Sequence, residues 1–143
     1  MKKEELLTYQ IQYIARVLRR HTDKDTLTYG ITAEQGRTIL YLHMHKNEVV
    51  HLTDLQQTFK LRKSSITSLI NNLEKNGFVT RCVEDLDQRQ KRIELTELGE
   101  EKVQLILKTF KEEEDTVINS LTEDEGIELK YLLNKIMKSI ENF

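Results

Sequence analysis

At 143 residues and 38% apolar content, the chain has material for one compact core and not for two, and its single cysteine, Cys82, excludes an internal disulfide framework or a Cys-rich metal site. Charged residues make up 32%, aromatics 6% and proline none, which favours a mainly helical protein because proline ends helices. The net charge of −2 conceals an asymmetry: residues 60–92 carry eight Lys and Arg against four Asp and Glu (+4), whereas 93–143 carry six against thirteen (−7), so the middle suits phosphate and the tail does not.

In chain order, Leu7, Ile11, Ile14 and Leu18 recur at helical spacing, widened by Leu6, Tyr13 and Val17, and predict a helix from about Lys3 to Asp23. Its other face is basic near the end, with Arg16, Arg19 and Arg20. Thr32-Ala-Glu-Gln35 reads as a capping box that opens a second helix through Ile39, Leu40 and Leu42 to about His45. A strand stub is expected at Val49-Val50-His51. Thr53-Asp-Leu-Gln56 repeats the capping pattern and predicts a short third helix to about Lys60.

From Lys63 to Asn76, Ile66, Leu69, Ile70 and Leu73 form one apolar face, while Ser65, Ser68, Asn71, Asn72 and Lys75 face away and Gly77 supplies a left-handed end. After Gly77 the period changes from 3.6 to 2. Phe78–Val83 and Lys91–Leu95 alternate around the polar run Glu84–Gln90, which reads as a β-hairpin with a charged tip. Thr96 then caps a helix to about Asn119 using Val103, Ile106, Leu107, Phe110, Val117 and Ile118. Thr122-Glu-Asp-Glu125 caps a last one using Leu129, Leu132, Leu133, Ile136, Met137 and Ile140.

Two short helices joined by a tight turn and followed by a hairpin make a winged helix-turn-helix. The expected fold class is mainly α with a small β-wing: a winged lobe over about residues 30–96, with dimerisation helices at about 1–25 and 97–143. On the fourth helix, serine hydroxyls and asparagine amides can face base edges, and Asn can pair bidentately with adenine. Lys60, Arg62 and Lys63 stand at the helix entrance, where charge and free backbone amides favour a phosphate. Arg89, Lys91 and Arg92 are placed to follow the strand into a minor groove. The same polar face would also suit a plain solvated surface, so DNA binding and a winged-helix protein-interaction adapter both stand at this point. Nothing in the chain reads as an enzyme: there is no Gly-rich phosphate loop, no nucleophile in a motif and no His/carboxylate cluster at ligand spacing.

Leu61-Arg-Lys-Ser-Ser-Ile-Thr-Ser-Leu-Ile-Asn-Asn-Leu-Glu-Lys-Asn-Gly-Phe-Val-Thr-Arg81, then Asp87-Gln-Arg89, then Ile93-Glu-Leu-Thr-Glu-Leu-Gly99, resembles the recognition helix, wing and following helix start of the MarR family of bacterial regulators. The resemblance implies a homodimer whose terminal helices intertwine, with two lobes reading a pseudo-palindromic operator in double-stranded DNA. That would cover the apolar stripes of the first, fifth and sixth helices, which exceed what one small lobe can bury. It makes Arg62, Lys63, Ser64, Ser65, Thr67, Ser68, Asn71, Arg89 and Lys91 the candidate DNA contacts. Arg89 would enter the minor groove, Asp87 would hold the wing's shape, and Arg81 is a further candidate for that wing network. Many relatives carry a basic residue where this chain has Ser68 and another at Asn72, so its site is expected to be A/T-rich rather than read through strong guanine contacts.

The resemblance further implies a repressor released by a small aromatic or amphipathic ligand, lined by Tyr13, Arg16, Tyr41 and Met44. A shorter likeness, Ile31-Thr-Ala-Glu-Gln-Gly-Arg-Thr-Ile-Leu-Tyr41, is similar to members that repress multidrug efflux pumps. No cofactor and no metal are expected: His43 and His45 are two apart and point about 200° apart on a helix, so they cannot share one ion. Peroxide-sensing members act through a cysteine near the N-terminus, where this chain has none, and Cys82 reads as a semi-buried strand residue. No run approaches the roughly 18–20 apolar residues of a membrane span, and Met1–Glu5 lacks an apolar signal core, so the protein is expected to stay in the cytoplasm with no membrane partner.

Overall fold

The computed structural model describes residues 2–84 and 87–141, without the side chains of 84 and 87–90. A 3-10 turn at Lys3–Glu5 is followed by α1 (Leu7–Thr28), α2 (Ala33–Met44), α3 (Leu52–Phe59), α4 (Lys63–Lys75), the antiparallel pair β1 (Val79–Glu84) and β2 (Asp87–Leu95), α5 (Glu97–Ile118) and α6 (Glu123–Ile140). The chain divides into two compact units, residues 1–109 and 110–143.

In the first unit, the apolar backs of the short helices meet the inner face of the hairpin. Ile39 of α2, Leu55 of α3 and Ile66, Ile70 and Leu73 of α4 are wholly buried, as is Val103 of α5; Phe78, Val79, Ile93 and Ile106 close the core. Burying one such aliphatic side chain contributes about 1.5–3 kcal/mol. Thr38, also buried, bonds back to the Glu34 carbonyl at 2.8 Å, so its hydroxyl enters the core satisfied.

Three boundaries differ from the sequence reading. The first helix begins at Leu7 and runs on to Thr28, because Thr22 and Thr26 are buried and return their hydroxyls to the Leu18 and Thr22 carbonyls at 3.1 and 2.8 Å; an apolar stripe alone does not register them. The third helix is capped at His51 rather than Thr53. The Asp54 carboxylate accepts from the His51 amide at 2.8 Å, and His51 is where the expected strand stub ends, bridging Arg92 while Val50 O accepts from Ile93 N at 2.8 Å. Finally β2 starts at Asp87, so the strand takes in residues 87–90 of the run expected to be the tip.

The Thr32/Gln35 and Thr122/Glu125 capping boxes both form. Gly77 closes α4 in the left-handed region (φ 80°), with Phe78 N donating to Leu73 O at 2.9 Å and Gly77 N to Glu74 O at 3.0 Å, which turns the chain directly into β1. Gly99 is required for a different reason. A Cβ there would overlap the Phe78 carbonyl oxygen, so only glycine lets the first turn of α5 seat against the start of the wing. Thr96 locks the same corner: its hydroxyl donates to Gly77 O at 2.6 Å and accepts from Gly99 N at 3.1 Å.

Two faces stay open. On α1, Leu7, Ile11, Ile14 and Val17 are exposed, Leu7 to 73%. In the second unit no residue of α6 is buried, and Ile127, Tyr131, Leu132, Ile136, Met137 and Ile140 are all exposed. No helix is long and apolar enough to cross a membrane among the described residues.

Candidate nucleic-acid interface

The turn between α3 and α4 is made by Lys60 in the left-handed region (φ 51°), followed by Leu61 and Arg62. Arg62 is the N-cap of α4 and makes no side-chain capping bond, so the first amides of α4 keep their donors for an outside acceptor beside Arg62 and Lys63. With Ile66, Ile70 and Leu73 wholly buried, the opposite side of α4 is fixed outward. Arg62, Lys63, Ser64, Ser65, Ser68 and Asn71 are exposed there, and Thr67 is half-buried at the edge. Six of the sequence-predicted contacts thus lie on one open stretch at the start and front of one helix.

The wing stands beside it. Val79, Arg81 and Val83 of β1 face the same side as Leu95, Ile93 and Lys91 of β2, and Lys91 is exposed. A hollow of about 310 Å³ opens where Lys63, Arg81 and Lys91 converge with His51, Leu52 and Thr53 at the start of α3. Three cations from three elements therefore border one concavity between the helix-turn-helix and the wing, a suitable seat for a phosphate backbone. The Asp87 and Arg89 side chains lie outside the described residues.

Arg81 does more than brace the wing. Its guanidinium donates to Asn71 Oδ1 and lies 3.8 Å from the Glu74 carboxylate, joining β1 to two successive turns of α4. Glu74 was not among the predicted site residues; its position three after Asn71 on the same helix side is the sequence signal. On the outer face of the wing, Arg92 pairs with Glu94 at 2.8 Å and the Cys82 thiol donates to Glu94 at 3.3 Å.

The histidines near α2 are engaged singly, His43 with Glu100 at 2.7 Å and His45 with the Tyr41 carbonyl at 2.8 Å. Of the predicted ligand residues, Arg16 lies over the Tyr13 ring at 5.5 Å on α1, and Met44 is exposed. Tyr41 stacks on His45, meets Phe59 edge-on, and borders a hollow of about 210 Å³, below the ~300–1,000 Å³ of typical ligand clefts.

Comparison with known proteins decides the family. The MarR family model matches residues 29–90, from the end of α1 to the wing. The regulator FarR of Neisseria gonorrhoeae is 31% identical over 109 residues, 76% of this chain and 73% of FarR. This chain belongs to the MarR family. MarR-family proteins are DNA-binding transcriptional regulators and not enzymes, and the winged lobe described above is the part that the family model spans. Among solved structures, MepR from a Staphylococcus aureus MepR–DNA complex superposes with a TM-score of 0.87 at 28% identity, over 94% of this chain and 98% of MepR. Another MepR structure, that of a regulator of the multidrug efflux pump MepA, gives 0.77 at the same identity and coverage. The mainly helical fold with a two-stranded wing is the fold of those structures.

Proposed function

We propose that this MarR-family regulator works in the cytoplasm as a homodimer that represses transcription from a pseudo-palindromic operator and is released by a small aromatic or amphipathic ligand. The observation that carries the reading is α4: an apolar back sunk in the core, an exposed front of Ser64, Ser65, Ser68 and Asn71, and an uncapped start flanked by Arg62 and Lys63. Placed in a major groove, that helix reads base edges while Lys63, Lys91 and Arg89 grip the flanking phosphates and minor groove. The open stripes of α1 and α6 supply a second copy with apolar surface.

Release then follows from linkage. Two half-sites on one duplex face stand about 34–36 Å apart and cannot follow the protein, so a ligand favouring another spacing of the recognition helices weakens DNA binding. The proposed ligand contacts are Tyr13, Arg16, Tyr41 and Met44, and the likeness to the regulator of an efflux pump points to drug-efflux genes as targets.

The test is a titration of the protein against DNA upstream of its own gene and against a genomic fragment pool at several salt concentrations, with Arg89→Ala and Lys63→Ala alongside. Salt-sensitive binding that falls at least tenfold in Arg89→Ala is expected for a wing in the minor groove. Binding that ignores both substitutions, or none to either DNA, contradicts the reading and favours a protein-interaction adapter.

A further inference from the structure

We infer that Glu74 and Arg81 form a brace that sets the wing against α4, so that Glu74, an acid on the DNA-binding side, strengthens DNA binding as a positioning residue. This rests on α4 and the wing reading one duplex together.

A two-stranded hairpin is marginal by itself, so the place of the wing is decided by what its inner face touches. Along the inner face of β1 the support changes in kind. Val79 at the base is buried, Val83 toward the tip is 57% exposed, and Arg81 lies between them with its side chain 24% exposed. Apolar packing thus ends before the tip, and Arg81 carries the contact with α4 by polar atoms. Its guanidinium donates to Asn71 Oδ1 and stands 3.8 Å from the Glu74 carboxylate. Asn71 and Glu74 are three apart on one side of α4, so one planar fork spans a helical turn and resists both sliding and tilting of the wing.

The hollow beside the brace makes the position of the wing matter. Lys63 of α4 and Lys91 of β2 border it together with Arg81. Phosphates stand at fixed places along a duplex, so both lysines meet them at once only if the wing keeps its distance from α4. Glu74 then has two opposed effects. Its charge repels phosphate, but the side chain is exposed and salt screens that repulsion over about 8 Å at physiological ionic strength. Through Arg81 it also keeps Lys91 in place. The brace outweighs the repulsion, because it decides whether a contact is made at all.

The sign is tested by titrating a site selected from a randomised duplex pool with wild type, Glu74→Ala, Arg81→Lys, Arg81→Met and the Glu74→Ala/Arg81→Met double variant. Glu74→Ala should weaken binding about threefold, the worth of one exposed ion pair, although it removes a negative charge. Arg81→Met should weaken it about tenfold, and adding Glu74→Ala to it should cost nothing more, since the two act as one unit. Arg81→Lys keeps the charge but not the fork, so it should resemble Arg81→Met; wild-type binding by Arg81→Lys would reduce Arg81 to a plain charge and overturn the brace. Amide exchange without DNA reads the brace alone. In Glu74→Ala and Arg81→Lys it should rise in the β1–β2 pairing and stay unchanged in α3, which separates a loosened wing from a lost fold. Tighter or unchanged DNA binding by Glu74→Ala, or unchanged exchange in its wing, would overturn the inference. A wild type that binds no duplex strikes at DNA reading by α4 itself, and the exchange still judges the brace.

Discussion

The winged lobe and the last helix, α6, are built from similar amphipathic segments, yet one buries its apolar face and the other does not. In the lobe, three helices and a hairpin converge so that Leu55, Ile66, Ile70 and Leu73 lose all contact with solvent. The α6 helix has just as regular an apolar stripe, and every one of its residues stays out of the core. Amphipathic period therefore shows that a face suits burial, not what covers it; the lobe is covered from within, and the apolar stripe of α6 is left exposed.

Truncating the two kinds of face should give different kinds of loss. Leu73→Ala should destabilise the lobe by about 2–5 kcal/mol, independent of protein concentration, because it opens a cavity in a closed core. Ile136→Ala should instead show a cost that fades on dilution, since its surface is buried only while a partner is bound. Denaturant melts at two protein concentrations a hundredfold apart distinguish them. Gly99→Ala should cost about 1–3 kcal/mol, because the added Cβ would overlap the Phe78 carbonyl, which is backbone and must move; a thermal melt at wild-type temperature would show that this corner is not rigid. Thr96→Val should cost least, on the order of 1 kcal/mol, by removing the bonds to Gly77 O and Gly99 N without changing shape. Amide exchange should then rise at Gly99 and leave α6 unchanged.

Much of this was legible in the sequence where local chemistry decided it. The α4 helix declared itself by spacing and by Gly77, and the wing by the change of period after it. Legibility failed where a polar group entered the core satisfied, as Thr22 and Thr26 do in lengthening α1, or where one side chain chose between two caps, as Asp54 does in starting α3 at His51. The same spacing marked the exposed front of α4, because the apolar positions settle which side turns to solvent. It did not reveal that Arg81 spends its guanidinium on Asn71 and Glu74, because that contact joins residues seven and ten apart across a turn and depends on which face of β1 is turned inward.

If the lobe holds itself together and a second copy of the chain completes α6, breaking the α6 stripe should separate the copies and leave the lobe folded. Sedimentation equilibrium of wild type and the double variant Leu132→Glu/Ile136→Glu, each with a thermal melt, decides this. The expected result is a dimeric wild type, and a monomeric variant whose lobe still melts cooperatively but binds a pseudo-palindromic site at least a hundredfold more weakly. A wild type that stays monomeric at every concentration, or a variant that remains dimeric, would contradict it.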